Sequence, residues 1–289
     1  MPPRIRFLIP YFGRWPFWMP FFLESCRHNK DIDWLFFSDC GIPPNLPDNV
    51  TVEAWAFDDY CRMVSQKIGI SFTASTPYKL CDLKPALGDV HADRLKGYDF
   101  WGFSDIDLVY GNLRRYFTDE RLERYDLLAT HSRRISGHLC LFSNTERMRR
   151  AYRSAPQWRQ RLTSPEHNAF DEAGFSRLFI RRKGWPAPMR WVINQLNPWW
   201  RRAEFCEAFS TPDGRIPWVD GSRCYPQRWV WNEGRLMTDK DAEREFPYFH
   251  FIGWKCDRWP AYTINHLLPD PKLANSRAWC VTAEGFREV

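Results

Sequence analysis

Short apolar runs rich in β-formers, each followed by a stretch with helical spacing, constrain this chain more than any other feature of its sequence. Arg4 to Ile9 (RIRFLI) is halted by Pro10, passes through the aromatic loop Tyr11-Phe12-Gly13-Arg14-Trp15, and leads to a helix predicted from about Phe17 to Cys26. Asp33 to Ser38 (DWLFFS) is a second strand, ended by Asp39-Cys40-Gly41 and a Pro-rich turn. Val50 to Trp55 is a third, before a polar helix near Asp58 to Lys67. Strand and helix in alternation predict an α/β fold with a largely parallel central sheet. Ligands of such sheets sit beyond the carboxyl ends of the strands, which puts Tyr11, Asp39, Asp105 and Asp107 on one rim.

Farther on, Pro77 to Leu95 is spaced for a helix with Leu80, Leu83, Leu87 and Val90 on one face and Lys79 and Lys84 elsewhere. Pro85 must kink or restart it. Asp126 to Thr130 and His138 to Phe142 are two more expected strands, and Asn144 is the expected cap of a helix carrying Arg147, Arg149 and Arg150. Those arginines fit a solvated face better than a binding site. Phe170 to Ile180 has helical spacing and opens on Asp171-Glu172. From Trp185 to Trp231 the chain is aromatic, Pro-rich and weakly periodic, which predicts an irregular elaboration facing ligand or membrane, or else ordinary packing. The whole reads as one domain over 1–289, in two halves, 1–145 and 146–289.

Composition narrows the function. Aromatic residues make up 17% of the chain, with 16 Trp, against an ordinary charged fraction of 26%, so disorder is excluded. A net charge of +6 suits phosphates or an anionic membrane face, but it is too diffuse for nucleic acid, and no nucleic-acid-binding motif is present. Nine scattered cysteines without a C-x-x-C pair read as reduced intracellular thiols. Pro10, Gly13, Arg14, Pro16 and Pro20 interrupt the apolar residues after Phe7, so neither a signal peptide nor a spanning helix is expected. The expected location is cytoplasmic, with peripheral contact at the inner membrane face.

The stretch with the most chemistry is Tyr98 to Leu108, an aromatic strand running into Asp105-Ile106-Asp107. Along an extended backbone the two carboxylates would aim the same way and hold a divalent cation that keeps positions open for phosphate oxygens. A solvated turn is the plain alternative. More than a hundred residues later comes Phe249-His250-Phe251-Ile252-Gly253-Trp254-Lys255.

Taken in order, K-L-x-x-x-x-P, an aromatic strand ending in D-x-D, S-G before a strand, an acidic pair opening a helix, and H-F-x-G-x-K resemble the retaining GT-A glycosyltransferases of the glycogenin and lipopolysaccharide galactosyltransferase type. The local wording (KLCDLKP, DFWGFSDIDLVYGN, SGH, HFIGWK) is similar to an uncharacterised bacterial family found among polysaccharide-synthesis proteins. The resemblance implies a GT-A, Rossmann-like nucleotide-diphospho-sugar transferase, with a nucleotide-sugar-binding half at 1–145 and an acceptor-side half at 146–289 that carries the C-terminal metal and diphosphate motif. Its partners would be a nucleotide-sugar donor, most often UDP-linked, and a bacterial glycan or lipid-linked oligosaccharide acceptor. Asp105, Asp107 and His250 would bind Mn²⁺, or Mg²⁺, although a lone His is more often a core residue. Lys255 would meet the diphosphate and Gly253 would let the backbone approach it. Lys79 matches the K-L lysine and would reach the phosphates, unless it is a surface lysine, and Lys84 is grouped with it on the donor side. Tyr11 or Phe12 would stack on the base, or pack beneath the loop, and Asp39 would hold base or ribose. Asp171-Glu172 stands where those families carry Asp-Gln; here the second carboxylate would act as nucleophile, stabiliser or base, or merely favour a helix N-terminus. His138, directly after Ser136-Gly137, would touch donor sugar or acceptor. A noncatalytic carbohydrate-binding protein and a sugar nucleotidyltransferase are the alternative readings.

Overall fold

The computed structural model describes residues 2–181, 184–211, 216–241, 243–251, 269–282 and 284–289. Its main sheet has seven strands: β1 (Ile5–Pro10), β2 (Ile32–Ser38), β3 (Val50–Ala54), β4 (Phe100–Ser104), β6 (Leu127–Ala129), β7 (Leu139–Ser143) and β8 (Ala203–Phe205). Between β4 and β6 lies β5 (Leu108–Tyr110), which belongs to a separate pair described below. The strand order is β3-β2-β1-β4-β7-β6-β8. β3, β2, β1 and β4 are parallel, β7 runs antiparallel to both β4 and β6, and β8 is parallel to β6, so only β7 opposes the rest. The expected α/β fold with a mostly parallel sheet is thus the observed one.

Both faces of this sheet are covered, which explains why its strands read as nearly continuous apolar runs. Ile5, Phe7 and Ile9 point into one layer with Phe22, Leu23 and Cys26 of helix α1 (Met19–Arg27). Leu8, one residue out of phase, points into the opposite layer with Tyr60 and Val64 of helix α2 (Phe57–Ile68) and with Leu83, Leu87 and Val90. β1 and β4 approach so closely at Phe7 and Gly102 that a Cβ on Gly102 would lie 2.6 Å from the Phe7 ring and 2.5 Å from the Cys140 carbonyl oxygen. Only glycine fits there.

The aromatic-rich C-terminal region contains a four-stranded antiparallel sheet, in the order β10-β9-β12-β13, that its weak periodicity does not reveal. Its strands are β9 (Trp229–Asn232), β10 (Arg235–Thr238), β12 (Ala278–Thr282) and β13 (Gly285–Glu288). Trp218, Trp229, Trp231 and Trp279 are buried in a third apolar cluster with Phe246, Phe249 and Phe251, so much of the tryptophan richness is core. Between β10 and β12, β11 (Tyr248–His250) leaves this sheet and pairs antiparallel with β5.

Local expectations change in three places. Pro77 to Leu95 is a string of single turns, with a 3₁₀ segment over Lys84–Ala86 at the proline. The cap of the basic helix Glu146–Arg149 is Thr145, whose side chain accepts from Met148 N at 3.2 Å. Asn144 instead donates to the Leu95 and Tyr98 carbonyls, both at 2.8 Å. Phe170 to Ile180 begins as a π-helical turn, Phe170–Gly174, entered through Ala169 in the left-handed region (φ 51°), and becomes α-helical over Ser176–Phe179.

Candidate active site

β4 ends at Ser104, so the D-x-D residues are not extended and strand alternation does not aim them. Ile106 turns into the core, Asp105 is about one-third exposed, and Asp107 is buried. Different partners hold the two acids. Asp105 Oδ1 accepts from Lys84 Nζ at 2.5 Å, and the same ammonium donates to the Gly137 carbonyl at 2.7 Å. Asp107 Oδ2 lies 3.2 Å from His250 Nε2. The β5–β11 pairing sets His250 opposite Leu108, and Phe251 N donates to the Asp107 carbonyl at 2.8 Å. Backbone hydrogen bonds therefore bring residues 143 positions apart together.

A buried polar chain continues from His250. Its Nδ1 is 3.0 Å from Thr211 Oγ1, Thr211 Oγ1 is 3.2 Å from His138 Nε2, and His138 Nε2 is 2.6 Å from the Tyr248 hydroxyl. Tyr248 donates in turn to Thr130 Oγ1 at 3.2 Å. Burial, and next the neighbouring His250, depress the His138 pKa well below its usual value, so this imidazole is neutral. In the tautomer whose His250 Nδ1–H donates to Thr211, Nε2 turns a lone pair toward the Asp107 carboxylate. In the other tautomer Nε2–H donates to that carboxylate.

On the other side of Lys84 is the acidic pair. Gly137 N donates to Glu172 Oε1 at 3.2 Å, and Arg134 Nη1 is 3.4 Å from Glu172 Oε2. A Cβ at residue 137 would sit 2.8 Å from Asp171 Oδ2 and 3.0 Å from Glu172 Cγ, so the glycine is a seat for both acids. Asp171 is buried, and burial pushes its pKa up to about 7; Lys84 opposes the rise and Glu172 adds to it. Lys84 is itself buried, which disfavours its charge, yet Asp105, Cys81 and Asp171 outweigh that and raise its pKa. Lys84 thus remains an ammonium, electrostatically tied to both groups of acids.

Other expected site residues are placed differently. Lys79 is fully buried and donates to Asp82 at 2.9 Å and to the carbonyls of Arg161 at 2.7 Å and Glu166 at 3.0 Å. Its three hydrogens are spent, so it cannot reach a phosphate. Asp82 in turn accepts from Phe170 N at 2.6 Å and Asn168 N at 2.9 Å, so this ion pair anchors the turn that carries Asp171 and Glu172. Phe12 is buried against Phe57 and Tyr60, as core beneath the loop and not as a stacking platform. Tyr11 is partly buried, stacked on Trp15 at 5.4 Å, and its pKa is raised by burial, then by Cys40 and Asp107. Asp39 is exposed on the rim and accepts from Gly13 N at 2.8 Å. Gly253 and Lys255 lie outside the described residues. Thr211, Tyr248 and Arg134 were not legible as site residues: each enters through a contact that no local motif encodes.

Among the described residues, no group of three His, Cys, Asp or Glu side chains is disposed to hold a metal ion. The carboxylate of Asp107 and the imidazole of His250 nevertheless form a donor pair of the kind that suits Mn²⁺. With Asp105 nearby but turned onto Lys84, the residues fit a cation that takes its remaining ligands from water and substrate.

Residues 7–267 match the model of a protein family described as a family of unknown function (DUF6625). The chain belongs to this family. No curated protein matches this DUF6625 member in sequence. Among solved structures it is similar to the galactosyltransferase LgtC in complex with donor and acceptor sugar analogues, at 10% identity over 72% of this chain and 88% of that one, with a TM-score of 0.37. It is also similar to mouse xyloside xylosyltransferase 1 in its apo form, at 9% identity over 72% and 86% of the two chains, with a TM-score of 0.34. A third is the glycosyltransferase GlyE of Streptococcus pneumoniae TIGR4, at 14% identity over 71% and 46%, with a TM-score of 0.29. Scores this low leave the chemistry to be argued from the chain's own residues.

Proposed function

We propose that this DUF6625 protein is a GT-A-type glycosyltransferase that moves a sugar from a nucleotide-sugar donor, UDP-linked, to a bacterial glycan or lipid-linked acceptor, with retention at the sugar carbon. The observation that carries the reading is the bridge made by Lys84 and Gly137. Lys84 joins Asp105 to the Gly137 carbonyl, and the Gly137 N–H joins Glu172, so the D-x-D turn and the acidic pair form one connected site. A structural turn would not need a buried lysine to hold it to a second pair of carboxylates.

In this reading Asp107 and His250 would hold Mn²⁺ or Mg²⁺, with Asp105 beside them. When bound, the cation supplies Lewis-acid stabilisation of charge on the departing nucleoside diphosphate. Lys84 adds a fixed positive charge close by. Glu172 is held in place by the Gly137 N–H and Arg134, and it faces the positive charge that develops at the sugar carbon as nucleophile or stabiliser. Asp171, with its pKa pushed up to about 7, is poised to take the acceptor's proton near neutrality. Tyr11 and Asp39, on the same rim, would meet the nucleoside end of the donor.

The test is a panel of nucleotide sugars with Mn²⁺, scored for nucleoside diphosphate release with and without acceptor mixtures. One donor is expected to turn over, and release is expected to stop on chelation. If the full panel is inert while calorimetry finds glycan binding indifferent to metal and nucleotide, the protein is a binding module and the reading is wrong. Proton NMR of the product reports retention or inversion.

A further inference from the structure

Among the described residues, exposed apolar side chains gather at the helix Ala187–Gln195 and its two ends. Of eight large apolar side chains that are exposed, five, Trp185, Met189, Trp191, Val192 and Leu196, fall within residues 185–196. At about 100° per residue, Trp191, Pro188, Val192, Leu196 and Met189 sweep one continuous arc of the helix, broken only by Gln195. Asn194, on the opposite side, is buried and ties the helix down: its side-chain oxygen accepts from Arg181 N, outside the helix, at 2.9 Å. The orientation is therefore fixed by the protein, with Trp191 64% and Leu196 75% exposed.

Charge around the helix is one-sided. From Ala173 to Ala203 the sequence has no acidic residue and seven basic ones: six arginines and Lys183. Of these, Arg177, Arg181, Arg201 and Arg202 are exposed, Arg202 being shared with Asp126. An apolar face bearing tryptophan and framed by arginine matches the boundary between lipid headgroups and acyl chains, and the missing carboxylates match a negative surface. A second copy of the chain fits less well. A helix of nine residues is about 14 Å long and about 10 Å wide, a patch of a few hundred Å² at most, against the ~800 Å² per partner of a stable interface. Two such basic faces would also repel each other.

We propose that the outer face of the helix Ala187–Gln195 docks this protein on an anionic lipid bilayer. No described helix is long and apolar enough to cross a membrane, so the contact lies in the plane of the surface. Asn197 donates to the carbonyls of Leu178 and Phe179, both at 2.9 Å, in the helical turn that follows Asp171 and Glu172. Docking would therefore hold the candidate site at a set position relative to the bilayer. That arrangement suits an acceptor presented from a membrane, but the docking itself does not depend on the proposed activity.

The experiment is co-sedimentation of the full chain with extruded vesicles of phosphatidylcholine alone or mixed with phosphatidylglycerol. Binding to the mixed vesicles only, weakened by added salt, is expected. The double substitution Val192→Glu/Leu196→Glu should weaken it by about tenfold or more, and Arg181→Gln by a smaller factor, with the thermal melt unchanged because all three side chains are exposed. Three results would overturn the proposal: no binding to phosphatidylglycerol vesicles, equal binding to both vesicle types, or binding that the double substitution leaves intact. A concentration-dependent dimer in sedimentation velocity, abolished by the same substitution, would assign the face to a second copy instead.

Discussion

Asp171→Asn tests whether the acidic pair is as buried and as proton-hungry as the geometry implies. In the folded chain the Asp171 pKa is pushed from 3.8 to about 7. Between those values the native state holds a proton that the unfolded chain has released, so this group's contribution to stability is fully present below the unfolded pKa and is lost as pH rises through about 7. Three pKa units correspond to about 4 kcal/mol over the whole window, and about 2.5 kcal/mol of that falls between pH 5 and pH 8. Buried histidines slope the other way. The His91 pKa is lowered to about 3 by burial and that of His138 is also depressed, so each contributes stability present above the unfolded value of 6.5 and lost on acidification. The raw stability curve mixes these effects, and the informative quantity is the difference between wild type and Asp171→Asn, measured by urea unfolding at a series of pH values. Relative to the variant, wild type is expected to lose about 2.5 kcal/mol from pH 5 to pH 8. A difference that stays flat, or that grows in favour of wild type as pH rises, refutes the burial argument and with it the assignment of a proton near neutrality to this carboxyl.

Gly137→Ala puts a methyl group 2.8 Å from Asp171 Oδ2. It is expected to cost about 1–3 kcal/mol in the melt and to displace the acids enough to slow nucleotide-sugar turnover by about 100-fold. Full turnover in this variant would remove Asp171 and Glu172 from the chemistry. Lys79→Met removes the ammonium beside buried Asp82, leaving it two backbone N–H donors and the His167 ring 3.4 Å away, and is expected to destabilise the fold by about 3 kcal/mol in urea unfolding; weakened nucleotide binding with an unchanged unfolding midpoint would restore Lys79 to the phosphates. Asp107→Asn and His250→Ala should each abolish the Mn²⁺-dependent part of UDP binding in calorimetry, run below the melting temperature of each variant because both side chains are buried, and retention of that dependence in both would rule out the proposed cation pair.

Six of the seven main-sheet strands, all but β8, and the first two helices were legible because both faces of the sheet are buried, so apolar runs and their Pro and Gly boundaries coincide with real element ends. Pro85 was legible as a break for a covalent reason, its missing N–H. What escaped was set by distant partners. Lys79 has a visible partner three residues on in Asp82, but the carbonyls of Arg161 and Glu166 that bury it come from another part of the chain. Tyr11 and Phe12 are adjacent and alike in sequence; only the packing of α2 decides that Phe12 goes inward. The π-helical turn at Phe170 has no periodicity of its own. It exists because Asp82 takes the Phe170 N–H and Gly174 lets the Phe170 ring lie where a Cβ would come within 2.6 Å of it. The same logic applies to the tryptophans: composition announced an aromatic region, but the divide between buried Trp229, Trp231 and Trp279 and exposed Trp191 depends on which segments found a sheet to join.

The two aspartates of D-I-D are identical in sequence and unlike in the fold. Asp107 is buried, with its backbone bonded to Phe251 and its carboxylate facing a histidine that the β5–β11 pair fixes opposite Leu108. A side chain held on a paired strand has little freedom, so this half of the site is preorganised. Asp105 is about one-third exposed beyond the end of β4, and its carboxylate is held by the buried Lys84 ammonium, which the Gly137 carbonyl also fixes in place. The fold thus fixes Asp107 and leaves Asp105, more exposed, room to move; in the proposed reading an arriving diphosphate, with its own negative charge, would compete with Asp105 for Lys84. Release of Asp105 toward a cation at Asp107 and His250 would then complete a ligand set that the described residues do not gather by themselves.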